Sequence, residues 1–369
     1  MFKEIERYEH EQLVFCSDKR TNLRAIIAIH NTTLGPALGG TRMWTYATDD
    51  DAINDALRLS KGMTYKAAVA GLNLGGGKAV ILGDPNKDKT EALFRSYGRF
   101  VEGLAGRYIT AEDVGTSVRD MEWVRTETKY VTGIDRALGG GGDPSPVTAF
   151  GVYHGMKACI KEQTGSDSLN GRKVAVQGAG NVASALCEYL AKEEAKVFVT
   201  DIYEDKAQRV ALKTNGTFVK PDSIYDLEVD IFCPCALGGI INDKTIPRLK
   251  TGIIAGGANN QLAEDKKHGH MLMKEGILYA PDYAINAGGL ISVANELEGY
   301  PRERAMKQTE GIYDTVLSIF QIARQENIPT YEASDRLAEK RITSLGHIRN
   351  VYAGHSQFAG RLAHVNHRA

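Results

Sequence analysis

Residues 173–183 read KVAVQGAGNVA, and an apolar segment then continues to Leu190. A second apolar run, 196–200, ends at Asp201. This order predicts a strand, a glycine turn, a helix, a second strand and an acidic residue. In such a unit the turn brings a pyrophosphate to the helix N-terminus, and an acid about 20 residues after the first glycine accepts hydrogen bonds from the ribose. The stretch therefore predicts a dinucleotide-binding Rossmann domain, and the acid favours NAD because it repels the 2′-phosphate of NADP.

Four further strands are expected in the same half of the chain, at 217–219, 229–233, 252–255 and 277–280. With the first two strands they number six, which is enough for a complete doubly wound parallel sheet. Small residues and amides follow three of the strands, in the segments 235–239, 256–261 and 286–289. A tight turn explains any one of these segments, but three in series favour a cofactor crevice. After Arg302 the pattern is helical to about Ser344.

Two lysines lie in glycine-rich and otherwise apolar surroundings, Lys66 in GMTYK and Lys78 in GLNLGGGK. Most lysines are solvated surface charges, so either one alone carries little weight. A third group, Asp113, follows a predicted strand in the sequence YITAEDVG. Partial burial lowers the pKa of a lysine toward the range useful for proton transfer, and a carboxylate near two ammonium groups can exchange protons with a bound amine. The three residues together predict a site that acts on an amino acid.

The first half alternates strands and helices. Strands are expected at 24–30, 79–82 and 108–111, and helices at 49–63, capped by Thr48 or Asp49, and at 90–104.

Four glycines and two prolines at 139–146, GGGGDPSP, predict a hinge or domain junction, although a mobile loop within one domain is the alternative. The fold class is therefore α/β with two domains. We expect an N-terminal domain at 1–145, a Rossmann domain at 146–330, and a C-terminal helical segment at 331–369 that returns to the first domain or to a subunit interface.

Composition narrows the class of protein. The chain has 369 residues, 43% of them hydrophobic and 25% charged, with a net charge of −1 and no basic block, so neither nucleic acid nor a membrane is expected as a partner. The N-terminus lacks the apolar core of a signal peptide, and no apolar run of about 18 residues is present, which predicts a cytoplasmic protein. The five cysteines are scattered, and neither Cys233 and Cys235 nor His268 and His270 has a matching partner set, so no metal is predicted.

With these residues, the chain resembles the amino-acid dehydrogenases of the glutamate, leucine, phenylalanine and valine family over nearly its whole length. The resemblance is carried by LGPALGG at 34–40 with Arg42 and Met43, the two lysine motifs, TAEDVG at 110–115, PSPVTA at 144–149, the turn at Gly178 and ANNQL at 258–262. It implies an N-terminal domain that binds the amino acid and builds the oligomer, a C-terminal NAD domain, catalysis in the cleft between them, and symmetric assemblies such as octamers. The implied reaction is reversible oxidative deamination, in which an amino acid, NAD and water give a 2-oxo acid, ammonia and NADH.

The resemblance also implies roles for individual residues. Lys66 would hold the substrate carboxylate, and Lys78, its pKa lowered by this cationic neighbour and by burial, would act as general base on the water that attacks the imine. Asp113 would carry protons to and from the amino group. The implied substrate-binding residues are Leu38, Gly39, Gly40, Met63, Lys66, Ala111, Asn260, Leu290 and Val293. The implied cofactor-binding residues are Thr148, Gly178, Ala179, Gly180, Asn181, Val182, Asp201, Cys235, Ala236, Ala258, Asn259, Asn260 and Asn286.

The resemblance also implies which residues lie near the substrate side chain: Leu38, Gly40, Met63, Ala111, Leu290 and Val293. All are small or aliphatic, and none could pair with a second carboxylate, which argues against glutamate. The sequences LNL at 72–74 and AED at 111–113 resemble the leucine-type members of the family more than the phenylalanine-type members. Leucine, valine and isoleucine are therefore the expected substrates. Phenylalanine, with the same mechanism and a larger pocket, is the alternative. More distant rivals are a 2-hydroxy acid dehydrogenase, which usually employs a histidine base and an arginine clamp, and a nucleotide-binding regulator without catalysis.

Overall fold

The computed structural model describes residues 2–299 and 301–350. These residues form two compact α/β units, each built from more than one stretch of the chain. The first unit contains 2–143, Val293–Pro301 and 338–350, and the second contains Pro144–Ser292 and Arg302–Leu337. The two-domain α/β class predicted from the sequence is confirmed.

Strands and helices alternate through most of the chain. The strands are β1 Gln12–Asp18, β2 Leu23–Asn31, β3 Ala37–Trp44, β4 Gly75–Leu82, β5 Tyr108–Glu112, β6 Lys173–Gln177, β7 Lys196–Thr200, β8 Thr217–Phe218, β9 Glu228–Pro234, β10 Lys250–Ile254 and β11 Leu278–Tyr279. The helices are α1 Phe2–Tyr8, α2 Asp49–Val69, α3 Glu91–Glu102, α4 Val118–Arg125, α5 Ser145–Thr164, α6 Asn181–Lys192, α7 Glu204–Thr214, α8 Asp265–Lys274, α9 Asp282–Ile285, α10 Gly288–Glu296, α11 Arg302–Glu310, α12 Ile312–Glu326 and α13 Thr330–Gly346. Among the described residues, no helix is long and apolar enough to cross a membrane.

The first unit is built on a mixed five-stranded sheet with the order β1-β2-β4-β3-β5. Strands β1, β2 and β4 pair antiparallel, whereas β3 runs parallel to both β4 and β5. Residues of β2 point alternately to opposite faces, as in any strand. Ile26 and Ala28 join a core with α2, and Ile27 and Ile29 join a second core with α3 and α4. Both faces of this sheet are therefore covered. Strand β3 lies between β4, which carries Lys78, and β5, which leads to Asp113.

Strand β4 begins at Gly75, earlier than the predicted start at 79, so the glycine run belongs to the sheet. A Cβ at Gly75 would lie 2.0 Å from the carbonyl oxygen of Asn31, and one at Gly76 would lie 2.1 Å from the backbone nitrogen of Thr64 in α2. Only residues without a side chain allow β2 and α2 to pack this closely against the strand. Lys78 is consequently held inside a sheet.

Helix α2 is longer than the predicted range 49–63 and continues to Val69. Its N-terminus is fixed by Thr48, whose side chain accepts a hydrogen bond from the backbone N–H of Asp51 while the Asp51 carboxylate accepts one from the backbone N–H of Thr48. Gly62 is exposed and is tolerated within the helix. Lys66 therefore lies in the last turn of α2, and not beyond its end.

Two glycine substitutions, one at packed Gly76 of β4 and one at exposed Gly62 of α2, should have opposite effects on stability. Gly76→Ala should lower the free energy of unfolding by about 1–3 kcal/mol, because the new methyl group would overlap backbone atoms of α2. Gly62→Ala, where no atom lies within 4 Å of the added Cβ, should raise it by roughly 0.5–1 kcal/mol through helix propensity. Urea unfolding of both variants would measure the difference, and equal effects would contradict the packing described for Gly76.

The second unit contains a parallel six-stranded sheet with the order β11-β10-β9-β6-β7-β8. The six predicted strands are confirmed, although β8 and β11 are only two residues long. The order reverses between β6 and β9, which is the switch point where doubly wound sheets bind their ligands. Pro144 and Pro146 lie at the start of α5, because proline fits the first turn of a helix.

The described C-terminal part is helical, as predicted from Arg302 onward. Arg341 of α13 donates hydrogen bonds to the carbonyl oxygens of Leu72 at 2.6 Å and Gly71 at 3.1 Å, just after α2. Tyr65 of α2 donates to Glu339 at 3.1 Å. These contacts lie within the first unit. Residues 351–369 of the predicted segment 331–369 lie outside the described residues.

Candidate active site

Lys78 and Asp113 form an ion pair in the first unit. Lys78 lies on β4 and Asp113 directly follows β5, and β3 lies between these strands. The Lys78 Nζ atom is 2.9 Å from Oδ2 of Asp113. The side chain of Lys78 is 6% exposed and that of Asp113 is 25% exposed. The structure thus brings two of the three predicted catalytic residues into direct contact.

Arg42 extends this pair into a network. Its Nε lies 3.1 Å from Oδ2 of Asp113, and its Nη1 lies 2.8 Å from Oδ2 of Asp55 on α2. The hydroxyl of Tyr46 donates to the same Asp55 oxygen at 2.8 Å, and Arg58 is 3.1 Å from the other one. Sequence reasoning named Arg42 in a motif but gave it no role. The available signal was an arginine in the otherwise uncharged strand ALGGTRMW.

The electrostatics of the pair follow from its surroundings. Burial lowers the pKa of Lys78 below its ordinary value. The negative charge of Asp113 opposes this shift, and the positive charge of Arg42 adds to it. The resemblance implies the same effect from Lys66, which stays a prediction. Burial alone would raise the pKa of Asp113, but Lys78 and Arg42 together lower it below its ordinary value. The site therefore contains an ionised carboxylate beside a lysine that releases its proton more readily than usual.

Hydroxyl groups fix the backbone around Asp113 and the strands beside it. Thr116 Oγ1 accepts a hydrogen bond from the backbone N–H of Asp113 at 2.9 Å and donates one to the carbonyl oxygen of Thr41 at 2.8 Å. The hydroxyls of Thr41, Tyr97 and Thr110 contact one another, and each of these residues is fully buried. Sequence reasoning missed this network, since hydroxyl residues on three separate elements give no periodic signal.

Most of the predicted substrate-binding residues of the first unit lie on the strands beside this pair. Leu38, Gly39 and Gly40 are on β3, and Gly40 is paired with Ala111 of β5. A Cβ at Gly40 would lie 2.9 Å from the Cβ of Asp113, so Gly40 is a close neighbour of the carboxylate.

The other predicted substrate-binding residues lie on helices and loops. Met63 and Lys66 are half-buried on α2. Leu290 and Val293 are on α10, and Asn260 is in a loop of the second unit with a positive φ of 52°. The carbonyl oxygen of Gly39 already accepts a hydrogen bond from Tyr108 at 2.6 Å.

The glycine turn after β6 has the geometry of a dinucleotide site. Gly178 has a φ of +114°, and a Cβ there would lie 2.9 Å from the carbonyl group of Cys235. No atom lies within 4 Å of a Cβ at Gly180, which precedes α6. Asp201 follows β7 and accepts hydrogen bonds from the backbone N–H groups of Ala179 at 2.7 Å and Tyr203 at 2.9 Å. An open turn at a helix N-terminus beside an oriented carboxylate fits a pyrophosphate and a ribose.

The other predicted cofactor residues of the second unit lie mainly at strand ends. Cys235 and Ala236 follow β9 next to the turn, and the backbone N–H of Cys235 donates to Gln177 at 2.7 Å. The Asn286 amide donates to Asn259 Oδ1 at 2.7 Å. Buried Gln261, which sequence reasoning did not single out, shapes this loop by donating to the carbonyl oxygen of Ala258 at 3.0 Å. Thr148 is in the first turn of α5, and Asn181 and Val182 begin α6.

The cysteine and histidine pairs have ordinary structural surroundings. Cys233 is buried at the end of β9, and its sulfur lies 3.5 Å from that of Cys235 with both thiols free. His268 is buried and accepts a hydrogen bond from the backbone N–H of Glu264 at 2.9 Å. In the part of the chain that the structure describes, no group of three or more His, Cys, Asp or Glu side chains could hold a metal ion.

Two family models match the chain. The Glu/Leu/Phe/Val dehydrogenase dimerisation domain matches residues 10–130, and the Glutamate/Leucine/Phenylalanine/Valine dehydrogenase model matches 139–203 and 199–321. The chain is 61% identical to leucine dehydrogenase of Thermoactinomyces intermedius over 95% of its length and 96% of that protein. It is 52% identical to phenylalanine dehydrogenase of Lysinibacillus sphaericus over 90% of its length and 88% of that protein. The crystal structure of L-tryptophan dehydrogenase from Nostoc punctiforme is similar with a TM-score of 0.85 at 50% identity, covering 93% of this chain and 99% of that one.

Proposed function

The chain belongs to the glutamate, leucine, phenylalanine and valine dehydrogenase family, and from this premise we propose that it deaminates leucine, valine and isoleucine reversibly with NAD. It is an amino-acid dehydrogenase that acts on the CH–NH2 group. Leucine as the main substrate is favoured because identity to a leucine dehydrogenase is 61%, against 52% to a phenylalanine dehydrogenase. The small or aliphatic character of Leu38, Ala111, Leu290 and Val293 supports the same choice.

The buried pair of Lys78 and Asp113 is the observation that carries this proposal. A nicotinamide cofactor would supply the hydride acceptor for the substrate α-carbon, and the residues of this chain would then handle the water and the proton transfers that release ammonia. Lys78, with its lowered pKa, takes a proton from the water that attacks the imine carbon. Asp113, kept ionised by two cations, exchanges a proton with the substrate nitrogen.

Binding and alignment fall to the other residues of the first unit. We assign the substrate carboxylate to Lys66, because a lysine on a helix side gives a fixed positive charge for that group. Gly40 lies beside Asp113 and Gly39 lies against Gly77 of β4, and we assign the positioning of the amino group to the backbone of these two glycines. On this proposal the segment 1–145 supplies substrate binding and 146–330 supplies the dinucleotide domain.

NAD is proposed over NADP because of Asp201. Its carboxylate stands at the end of β7 with both oxygens oriented by backbone N–H groups, where it would accept ribose hydroxyls and repel a 2′-phosphate. The residues named for the pyrophosphate are Gly178, Ala179, Gly180, Asn181 and Val182.

Replacing Asp201 with serine should reduce the preference for NAD. We expect the ratio of kcat/KM for NAD to that for NADP to fall about 10–100-fold, since a charged hydrogen bond contributes roughly 1.5–3 kcal/mol. Asp205→Ser is the matched control, because Asp205 is an exposed acid on α7 paired with Arg209. An unchanged ratio in Asp201→Ser would place the ribose-binding acid elsewhere.

The assembly is proposed to be a homo-oligomer, because the first matched model is a dimerisation domain. An octamer is the specific form expected from the family resemblance, and native mass spectrometry would give the subunit number. The cytoplasmic location stays a prediction from the sequence.

The proposed function is tested by NADH formation with NAD at alkaline pH and a panel of leucine, valine, isoleucine, phenylalanine, glutamate and lactate. We expect leucine or valine to give the highest kcat/KM, and the reverse reaction to require ammonia. Highest activity with phenylalanine would support the proposed mechanism but indicate a larger substrate pocket. Activity with lactate alone would indicate a 2-hydroxy acid dehydrogenase. Inactivity across the panel with NADH still bound would refute the proposed reaction.

A further inference from the structure

Asp113 receives two cations on one of its two carboxylate oxygens. Lys78 Nζ at 2.9 Å and Arg42 Nε at 3.1 Å both contact Oδ2. Within residues 2–299 and 301–350, no group donates a hydrogen bond to Oδ1. The carboxylate is thus held through one oxygen, and the other oxygen is left for a further donor.

Arg42 is itself fixed at its far end. Its Nη1 contacts Asp55 at 2.8 Å, and Asp55 is held in turn by Tyr46 and Arg58. The side chains of Arg42 and Asp55 are 22% and 16% exposed. Because the guanidinium group is planar and rigid, it cannot turn away from Asp113 without also leaving Asp55.

The two cations on Oδ2 differ in chemistry. A lysine can give up its proton, whereas the guanidinium group of an arginine stays charged in proteins. In the proposed reaction Lys78 must be neutral before it can accept a proton from water. At that stage Arg42 is the cation that still contacts Asp113.

Building on the proposed deamination, we propose that Arg42 is a positioning residue of this reaction. It holds Asp113 through Oδ2, keeps that carboxylate charged while Lys78 is neutral, and directs Oδ1 toward the amino group of the substrate. Arg42 acts through Asp113 and Lys78, and its positive charge also favours the neutral form of Lys78.

Four other titratable groups surround the pair of Lys78 and Asp113. Asp55 comes from α2, Tyr46 from the segment before α2, and Glu112 and Tyr108 from β5. The negative charge of Asp55 favours the protonated form of Lys78, whereas the charge of Arg42 opposes it. The two ends of the same ion pair therefore act on Lys78 in opposite directions.

Because Arg42 and Asp55 act on Lys78 in opposite directions, substituting each should shift the pH profile of kcat in opposite directions, which a purely structural role would not do. The rising limb of the kcat–pH profile reports the loss of a proton from Lys78. In Arg42→Met the pKa of Lys78 should rise, so this limb should move to higher pH by about one unit, and kcat at pH values below the limb should fall roughly tenfold. In Asp55→Asn, which breaks the same contact between β3 and α2, the limb should move to lower pH. Arg42→Lys keeps the charge but reaches only one carboxylate, so its limb should lie between those of the wild type and Arg42→Met.

The proposal is overturned if Arg42→Met and Asp55→Asn both lower kcat without moving the limb, because the contact would then serve only to hold β3 against α2. If Arg42→Met does not fold, Arg42→Gln decides, because it removes the charge but keeps a hydrogen-bond donor, and a wild-type limb in that variant overturns the proposal equally. The wild-type enzyme is assayed first on the amino-acid panel. Wild-type inactivity would refute the proposed reaction, whereas an active wild type with unmoved limbs would refute only the role of Arg42.

Discussion

Lys78→Ala should lower kcat for the deamination of leucine by about 10²–10⁴-fold, the usual contribution of a general base. The variant loses the group that accepts a proton from water, and Asp113 keeps Arg42 as a cationic partner. Since a general base works only when unprotonated, wild-type kcat should rise with pH through the lowered pKa of Lys78. That limb should be absent from the variant. Steady-state kinetics across pH would measure both effects.

The control for this substitution is a second Lys–Asp pair of the same unit. Lys89 Nζ lies 2.5 Å from Oδ2 of Asp120, whose side chain is 4% exposed. Lys89→Ala should reduce stability and leave the pH profile of kcat in place. NADH binding, measured by fluorescence, should persist in both variants because the dinucleotide residues belong to the second unit. Turnover in Lys78→Ala close to that of the wild type would refute the assignment of Lys78 as the base.

Asp113→Asn should also lower kcat by about 10²–10⁴-fold, because the amide cannot exchange a proton with the substrate nitrogen. It should change the pH profile as well. The Asp113 carboxylate favours the charged form of Lys78, so its removal leaves burial and Arg42 to lower the pKa of Lys78 further. The limb seen in residual activity should therefore move to lower pH.

The matched substitution is Asp120→Asn, which removes a buried carboxylate that also caps α4. It should cost stability, yet its pH profile should coincide with that of the wild type. A limb that moves to higher pH in Asp113→Asn would contradict the electrostatic account of the pair. Wild-type turnover in this variant would show that another group carries the proton.

The second sheet was predictable from the sequence, whereas the first was predictable only in part. Strands β6, β7, β9 and β10 are short apolar runs bounded by turns, which is the pattern of a parallel sheet buried on both faces. Strand β3 contains Gly39 and Gly40, and β4 begins with three glycines, so both lack the side chains that normally mark a strand. Their glycines reflect close packing against neighbours that are remote in sequence, such as Thr64 of α2.

The same distinction applies to the candidate site. Lys78 and Asp113 could be selected because a charged residue next to glycines and apolar residues is unusual in any segment. The network around Arg42 joins β3, α2 and the end of β5, and its members have no common periodicity. The position of Arg42 beside the pair depends on strand order, because β3 pairs with both β4 and β5. The family resemblance named Lys66 as the cationic neighbour of Lys78, and that role stays a prediction.

The contacts of Arg341 have a consequence for folding of the nascent chain during translation. During synthesis, α2 leaves the ribosome long before the segment that supplies Arg341 and Glu339. Until then the carbonyl groups of Gly71 and Leu72, at the end of the helix that carries Lys66, have only water or a chaperone to bind them. The first unit of the nascent chain therefore cannot complete these contacts until the segment that contains Arg341 has left the ribosome, and a chain stalled before 338 would lack them.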